Sequence, residues 1–329
     1  MQRHYINIDS PEQLSLQTDE APQPKLGEVL IEVHFAGVNR ADVLQRLGLY
    51  PVPEDASPIL GLEVSGLVVA LGDGVEDLQV GDRVCALVHG GGYASHAIAR
   101  VDHCLAVPET VSLEQAAALP EALLTVWHNV FVLGKLTANE TLLVHGGGSG
   151  IGSIAVQMAK AMGARVIATA GGMDKCHRVG ELGADNVIDY QQGSLREQLQ
   201  NLGFVGQIDV VLDMAGGDFT GINLEVAAPD GRVVVIGMMR GLTAEIDLFQ
   251  ILMKRLTLTG STLRGMGMTG RAAGFSDIRT NILPFVESGA IRPVVHQVLL
   301  LQDAMKAHAL MESGTHFGKI LLSCANSTD

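Results

Sequence analysis

The residues most able to do chemistry are glycines. Gly146-Gly-Gly-Ser-Gly-Ile-Gly152 follows directly on the apolar run Thr141-Leu-Leu-Val-His145. It also opens a segment in which Ile151, Ile154, Ala155, Met158, Ala159 and Met162 recur at helical spacing. A strand, a glycine turn and a helix in that order bring backbone amides close to a pyrophosphate, and the helix N-terminus adds partial positive charge. Gly146, Ser149, Gly150, Ile151, Gly152 and Ser153 are therefore expected to hold a dinucleotide. A purely structural glycine turn is the alternative, and the apolar stripe alone would suit any buried helix of an α/β core.

The choice of nicotinamide cofactor is read about 20 residues further on, where an acidic residue at the strand end would hold the ribose hydroxyls of NAD. Here the strand ends Thr169-Ala-Gly-Gly172. Gly171 leaves room for a 2′-phosphate and Lys175 can neutralise it, which favours NADPH. Against this, Asp174 is near enough in sequence to serve an NAD ribose, and a lysine on a surface helix is commonly just solvated charge.

Other reactive residue types form no constellation. Cys85, Cys104, Cys176 and Cys324 are scattered without CxxC spacing, as expected of a reducing cytoplasm. His89, His96 and His103 are expected to be loop or edge residues rather than a metal site. A formal charge of -14 argues against nucleic acid or an anionic membrane as partner. The N-terminal Met1-Gln-Arg-His-Tyr-Ile-Asn-Ile8 alternates like a strand, and no unbroken apolar run reaches the ~18 to 20 residues of a membrane helix. A soluble, cytoplasmic protein is expected.

These residues need elements to position them, and 329 residues with 47% hydrophobic and 18% charged content are enough for two domains. The first third reads as antiparallel β-structure, with strands at Val29–Phe35 and Glu63–Leu71 and a turn at Val80-Gly-Asp-Arg-Val84. Ser112 and Gln115 form a capping box opening an Ala-rich helix that Pro120 stops, and a second helix covers Ala122–Leu133. Apolar strands at 141–145, 165–169, 186–189, 208–213 and 232–236 then alternate with helices, the pattern of a parallel, doubly wound sheet. A strand at 256–261, a helix at 276–288 and strands at 294–301 and 319–322 follow, returning to the β-domain.

Several separate stretches match one family in order: Ala36-Gly-Val-Asn-Arg-Ala-Asp42, Gly61-Leu-Glu-Val-Ser-Gly66, Val80-Gly-Asp-Arg-Val84, Ala117-Ala-Leu-Pro120, the glycine loop, Leu182-Gly-Ala-Asp185 and Phe317-Gly-Lys319. Over nearly its full length the chain resembles the medium-chain dehydrogenase/reductases, and within them the zinc-independent quinone oxidoreductase or zeta-crystallin branch. The resemblance implies an α/β protein: a GroES-like β-rich domain over 1–122, completed by 289–329, and a Rossmann cofactor domain over 123–288. It also implies a homodimer and an active site between the domains. Zinc-dependent relatives carry a Cys and a His where this chain has Asn39 and Leu62. Neither residue replaces a thiolate or imidazole in a site needing about three protein ligands, so no zinc is expected.

Without a Lewis acid, reduction of an electrophilic quinone or conjugated carbonyl is expected rather than alcohol oxidation. By resemblance, Asn39 and Tyr50 line the substrate end, with Tyr50 either a donor to the developing oxyanion or a wall residue. Thr125, Gly237 and Met238 would run along the nicotinamide. Tyr190 would join Gly171 and Lys175 around the adenosine phosphate, or merely pack on the sheet, and Leu263, Arg264 and Phe317 would close the far side. The family often has Gly four residues into its loop motif where this chain has Ser149, which can still donate to a phosphate. The resulting expectation is an NADPH-dependent quinone reductase. Its rivals are an NADPH-dependent reductase of alkenals, enones or enoyl thioesters, and an NADPH-binding protein with little catalysis.

Overall fold

The computed structural model describes residues 1–324. The fold divides into two compact units, one of Met1–Glu121, Phe275–Glu287 and Pro293–Asp329, the other of Ala122–Gly274 and Ser288–Arg292. Residues 325–329, the end of the segment expected to complete the β-domain, lie outside the described residues.

In the first unit, Val29, Ile31 and Val33 of the strand Glu28–Val38 are buried, and the strand forms the middle of a seven-stranded sheet. The sheet runs Val295–Leu300, Lys319–Ser323, Glu28–Val38, Glu63–Leu71, Arg83–Leu87, Cys104–Ala106, with His96–Arg100 also paired to Glu28–Val38. Among the described residues of this sheet, only the pairing of Val295–Leu300 with Lys319–Ser323 is parallel. The return of the chain to this sheet, expected from the pattern at 294–301 and 319–322, lays Lys319–Ser323 directly against Glu28–Val38. That register brings Lys319 towards Asn39. Gln2–Ser10 and Gln13–Glu20 make a separate hairpin.

The second unit holds six strands, all parallel, in the order Asn186–Asp189, Arg165–Ala170, Thr141–Val144, Ile208–Asp213, Ala227–Val235, Thr257–Gly260. The chain builds outwards from Thr141–Val144 in one direction, then crosses back to Ile208–Asp213 and builds the other way. This doubly wound order leaves a switch point beside Thr141–Val144, where ligands bind in such sheets.

Two expectations need correction. Ser112 and Gln115 do make the reciprocal capping box, with Gln115 N donating to Ser112 Oγ at 3.1 Å and Ser112 N to Gln115 Oε1 at 3.2 Å. Pro120, however, does not stop a helix; it is the first residue of the helix Pro120–Val126, where its missing N–H costs nothing. That helix continues as the π-helical segment Trp127–Leu133. The helix expected at 276–288 is instead two, Gly267–Asn281 and Leu283–Glu287. Its glycines disguised it: a Cβ on Gly274 would strike the Leu124 side chain, so packing rather than helix propensity chose that residue. The helical stretch Leu113–Leu133 has the length and mean hydropathy, 1.4, of a membrane span, but 67% of that window is buried within the protein.

Candidate functional site

At the switch point, His145 leads from the strand Thr141–Val144 into a turn at Gly146, whose φ of 69° favours glycine. Ser149 then caps the helix Gly150–Ala161, its Oγ accepting from Gly152 N at 2.9 Å. A Cβ on Gly152 would run into the Gly146 carbonyl, and one on Gly147 would meet Ala168 and Val179. The glycines thus let the loop fold tightly on itself and on the neighbouring strand, with Gly150, Ile151 and Ser153 in the first turn. The Ser149 hydroxyl, expected as a phosphate donor, is engaged as the cap and also donates to Met214 Sδ at 3.3 Å.

One strand over, Arg165–Ala170 ends at Gly171 and Gly172, the latter with φ 90° capping the helix Met173–Glu181. Asp189, at the end of the next strand, fixes this turn by accepting from Gly172 N and Gln191 N, both at 2.9 Å. A Cβ on Gly171 would lie 2.5 Å from the Tyr190 hydroxyl, so these two expected site residues are brought together. The Tyr190 ring also packs edge-on against Phe219, with centroids 6.4 Å apart. Asp174 points to solvent, 86% exposed, 4.0 Å from Arg178. Lys175 is half-buried, and burial, with help from Arg178, lowers its ammonium's pKa.

Beneath the loop is a buried polar chain that the motifs did not signal. Asp213 accepts from Ala215 N and Gly216 N at 2.8 and 2.9 Å and from Asn223 Nδ2 at 2.9 Å. Asn223 Oδ1 therefore accepts, and the His145 Nε2–H donates to it at 2.7 Å. That tautomer leaves Nδ1 to accept from the Thr169 hydroxyl at 3.2 Å, while Thr169 Oγ1 accepts from Gly146 N at 3.3 Å. Burial lowers the His145 pKa, keeping it neutral. Three strand ends are tied to the glycine loop in this way. Asn129 acts similarly, donating to the Thr125 carbonyl at 2.8 Å and accepting from Ser261 Oγ at 2.8 Å. It joins the helix carrying Thr125 to the segment that leads into Leu263 and Arg264.

Gly237 and Met238 follow the strand Ala227–Val235, and Leu263 and Arg264 follow Thr257–Gly260. Except for Thr125, every expected cofactor residue of this unit lies at or beyond the carboxyl end of a parallel strand. Phe317 belongs to the other unit, buried just before Gly318 and Lys319.

Asn39 also belongs to the first unit and is 5% exposed. Both ends of its carboxamide are engaged: Nδ2 donates to Glu63 Oε1 at 2.9 Å, and Oδ1 accepts from Lys319 Nζ at 2.5 Å. Lys319 Nζ also meets Glu63 Oε1 at 2.5 Å and lies 3.8 Å from Glu121 Oε2. Burial acts to lower the Lys319 pKa, and Glu63 and Glu121 reverse this, so the net shift is upward. Gly37 makes room, since a Cβ there would strike the Glu63 carboxyl. Asp42 accepts from Asn39 N at 2.8 Å, Gly61 N at 3.3 Å and Tyr93 Oη at 3.2 Å, and Tyr93 Oη lies 3.1 Å from His308 Nε2. Tyr50 is half-buried after the turn at Gly48, whose φ is 71°. Glu63, Glu121 and Lys319 were not expected as site residues, although the Gly61–Gly66 and Phe317–Lys319 motifs contain two of them.

Comparison with known proteins gives a consistent result. Residues 25–109 match the family model "Alcohol dehydrogenase GroES-like domain", and residues 150–282 match "Zinc-binding dehydrogenase". The chain is 30% identical to a quinone oxidoreductase of Rattus norvegicus, over 96% of this chain and 95% of that protein. It is also 30% identical to a phenolphthiocerol/phthiocerol polyketide synthase of Mycobacterium tuberculosis, over 97% of this chain but only 15% of that protein's length. Among solved structures, an Escherichia coli quinone oxidoreductase complexed with NADPH superposes with a TM-score of 0.85 at 30% identity, covering 98% of this chain and 100% of that one. The CurK enoyl reductase superposes with 0.84 at 28% identity, covering 98% and 99%.

Proposed function

Because the chain belongs to the quinone oxidoreductase family of the medium-chain dehydrogenase/reductases, we propose that it is a zinc-independent reductase that uses NADPH to reduce quinones. The observation that carries the cofactor assignment is the adenosine end of the glycine-loop site. Gly171 lets the Tyr190 hydroxyl close over the strand end, Lys175 on the helix that follows is half-buried, and the competing Asp174 faces solvent. That arrangement fits a 2′-phosphate better than a bare ribose. The NADPH-bound E. coli relative supports the same reading.

When bound, NADPH supplies the hydride. The chain's own residues do the rest. The first turn of Gly150–Ala161 receives the pyrophosphate, and the chain from Asp213 through Asn223 and His145 to Thr169 keeps the loop rigid. Within the same unit, Thr125, Gly237 and Met238 line the nicotinamide, and Leu263 and Arg264 follow the last parallel strand. Asn39 stands where zinc-dependent relatives place a ligand, yet its carboxamide is held by an ammonium and a carboxylate. A cation 2.5 Å away opposes a metal ion at that atom.

A second reading, reduction of the carbon–carbon double bond of an enone or enoyl thioester, is favoured by the likeness to the CurK enoyl reductase. We also infer a homodimer. The helix Leu248–Lys254 buries no residue and exposes Leu248, Phe249, Leu252 and Met253, and the strand Thr257–Gly260 that follows it is a sheet edge. Four free cysteines fit a reducing, cytoplasmic setting.

The test is product analysis after incubation with NADPH and, separately, a para-quinone, an ortho-quinone and a simple enone. Hydroquinone formation supports the leading reading, and saturated ketone alone moves the assignment to double-bond reduction. NADPH binding with no product from any acceptor contradicts both.

A further inference from the structure

Three groups of the second unit pack on one buried ring. Phe219, in the first turn of the helix Asp218–Val226, is 6% exposed. The His145 ring lies 5.0 Å from it between centroids, the Tyr190 ring meets it edge-on, and the Arg240 guanidinium carbon lies 4.4 Å from its centroid, over the ring. Tyr190 is also the residue whose hydroxyl closes over the strand end at Gly171, and it acts electrostatically on Arg240. Arg240 and Tyr190 are therefore neighbours on one support at the adenosine end of the site.

Backbone bonds put the arginine there. After Gly237 and Met238 the chain turns back across the carboxyl ends of the strands: Arg240 N donates to the Ala215 carbonyl at 2.8 Å, and Gly241 bridges to Gly216. Gly217 permits this approach, with a φ of 54° and no Cβ to strike the Arg240 carbonyl. The segment is thus laid against the loop that leaves Ile208–Asp213, beside the switch point. Arg240 Nε and Nη2 then donate to the two oxygens of Asp218 at 2.6 and 2.8 Å. That fork fixes the plane of the guanidinium, and Phe219 covers one side of it. The side chain is still 42% exposed, which leaves the opposite side open. A guanidinium compensated by a carboxylate offers little charge to a phosphate, but it remains a flat, weakly hydrated surface that stacks on π-systems.

We propose that Arg240 is the adenine-stacking residue of the dinucleotide site, its open side receiving the purine while Lys175 meets the 2′-phosphate. This rests on the dinucleotide reading above. Because Arg240 supplies a plane rather than a charge, it serves NADPH and NADH alike, and the choice between them stays with Lys175.

The experiment is calorimetric titration of the full chain, wild type, Arg240→Lys and Arg240→Ala, with AMP, 2′-phospho-AMP and nicotinamide mononucleotide. Lysine keeps the charge and removes the plane. Both variants should bind AMP and 2′-phospho-AMP about 10-fold more weakly, by the same factor, with the affinity for nicotinamide mononucleotide unchanged. Wild-type affinity of Arg240→Lys for the adenine nucleotides overturns the proposal. Loss confined to 2′-phospho-AMP overturns it too, by assigning Arg240 to the phosphate, and so does an equal loss of nicotinamide mononucleotide, which makes Arg240 a fastening of the loop. A structure of the wild-type protein with 2′-phospho-AMP does not depend on the variants folding: the purine should lie on the Arg240 guanidinium, and a purine bound elsewhere contradicts the stack. A wild-type protein that binds none of these nucleotides and no NADPH removes the dinucleotide reading itself, whereas a wild-type protein that binds them no better than its variants removes the stack alone.

Discussion

Lys175 and Asp174 are neighbours in the chain but meet different surroundings. The carboxylate is 86% exposed and faces Arg178, whereas the ammonium is half-buried and its pKa is lowered by desolvation. The strand, turn and helix of the glycine loop were legible because that pattern is local, complete within about 30 residues. The Asn39, Glu63, Glu121 and Lys319 cluster was not, because it joins residues up to 280 positions apart and exists only through strand pairing. Replacing Lys175 by Ala should weaken NADPH about 10- to 100-fold, the worth of one charge-assisted bond of about 1.5 to 3 kcal/mol, and barely affect NADH. Titration of both cofactors by nicotinamide fluorescence checks this, and equal losses would remove the 2′-phosphate role.

Among the elements, the strands were read well and the helices less so. A strand such as Glu28–Val38 announces itself by alternation, and the parallel strands of the second unit by short apolar runs. Pro120 misled because a proline both ends and begins helices, and only the neighbouring structure decides which. The helix Leu248–Lys254 was not anticipated, and its exposed apolar face is unusual for so short an element. If a second copy covers that face, Leu252→Glu should convert a dimer to a monomer in sedimentation while leaving NADPH binding intact. A wild-type protein that is already monomeric at high concentration would contradict the homodimer.

At the scale of the whole molecule, the change from alternating β-pattern to regular βαβ repeats foretold two different folding units. The placement of the proposed cofactor residues follows from the second unit's topology: parallel strands wound in both directions leave a switch point of the kind where dinucleotides bind. What the pattern did not reveal is the buried polar chain through His145, Asn223 and Asp213, in which the strand end and helix of one βα unit meet His145 of another under the loop. The central claim is that this chain reduces an electrophilic acceptor with NADPH and without a metal ion. Its most direct test is the steady-state loss of reduced-nicotinamide absorbance with a para-quinone, measured with NADPH and NADH separately, before and after exhaustive chelation. A clear preference for NADPH and rates untouched by chelation are predicted; a preference for NADH, or activity lost on chelation and restored by zinc, would contradict it.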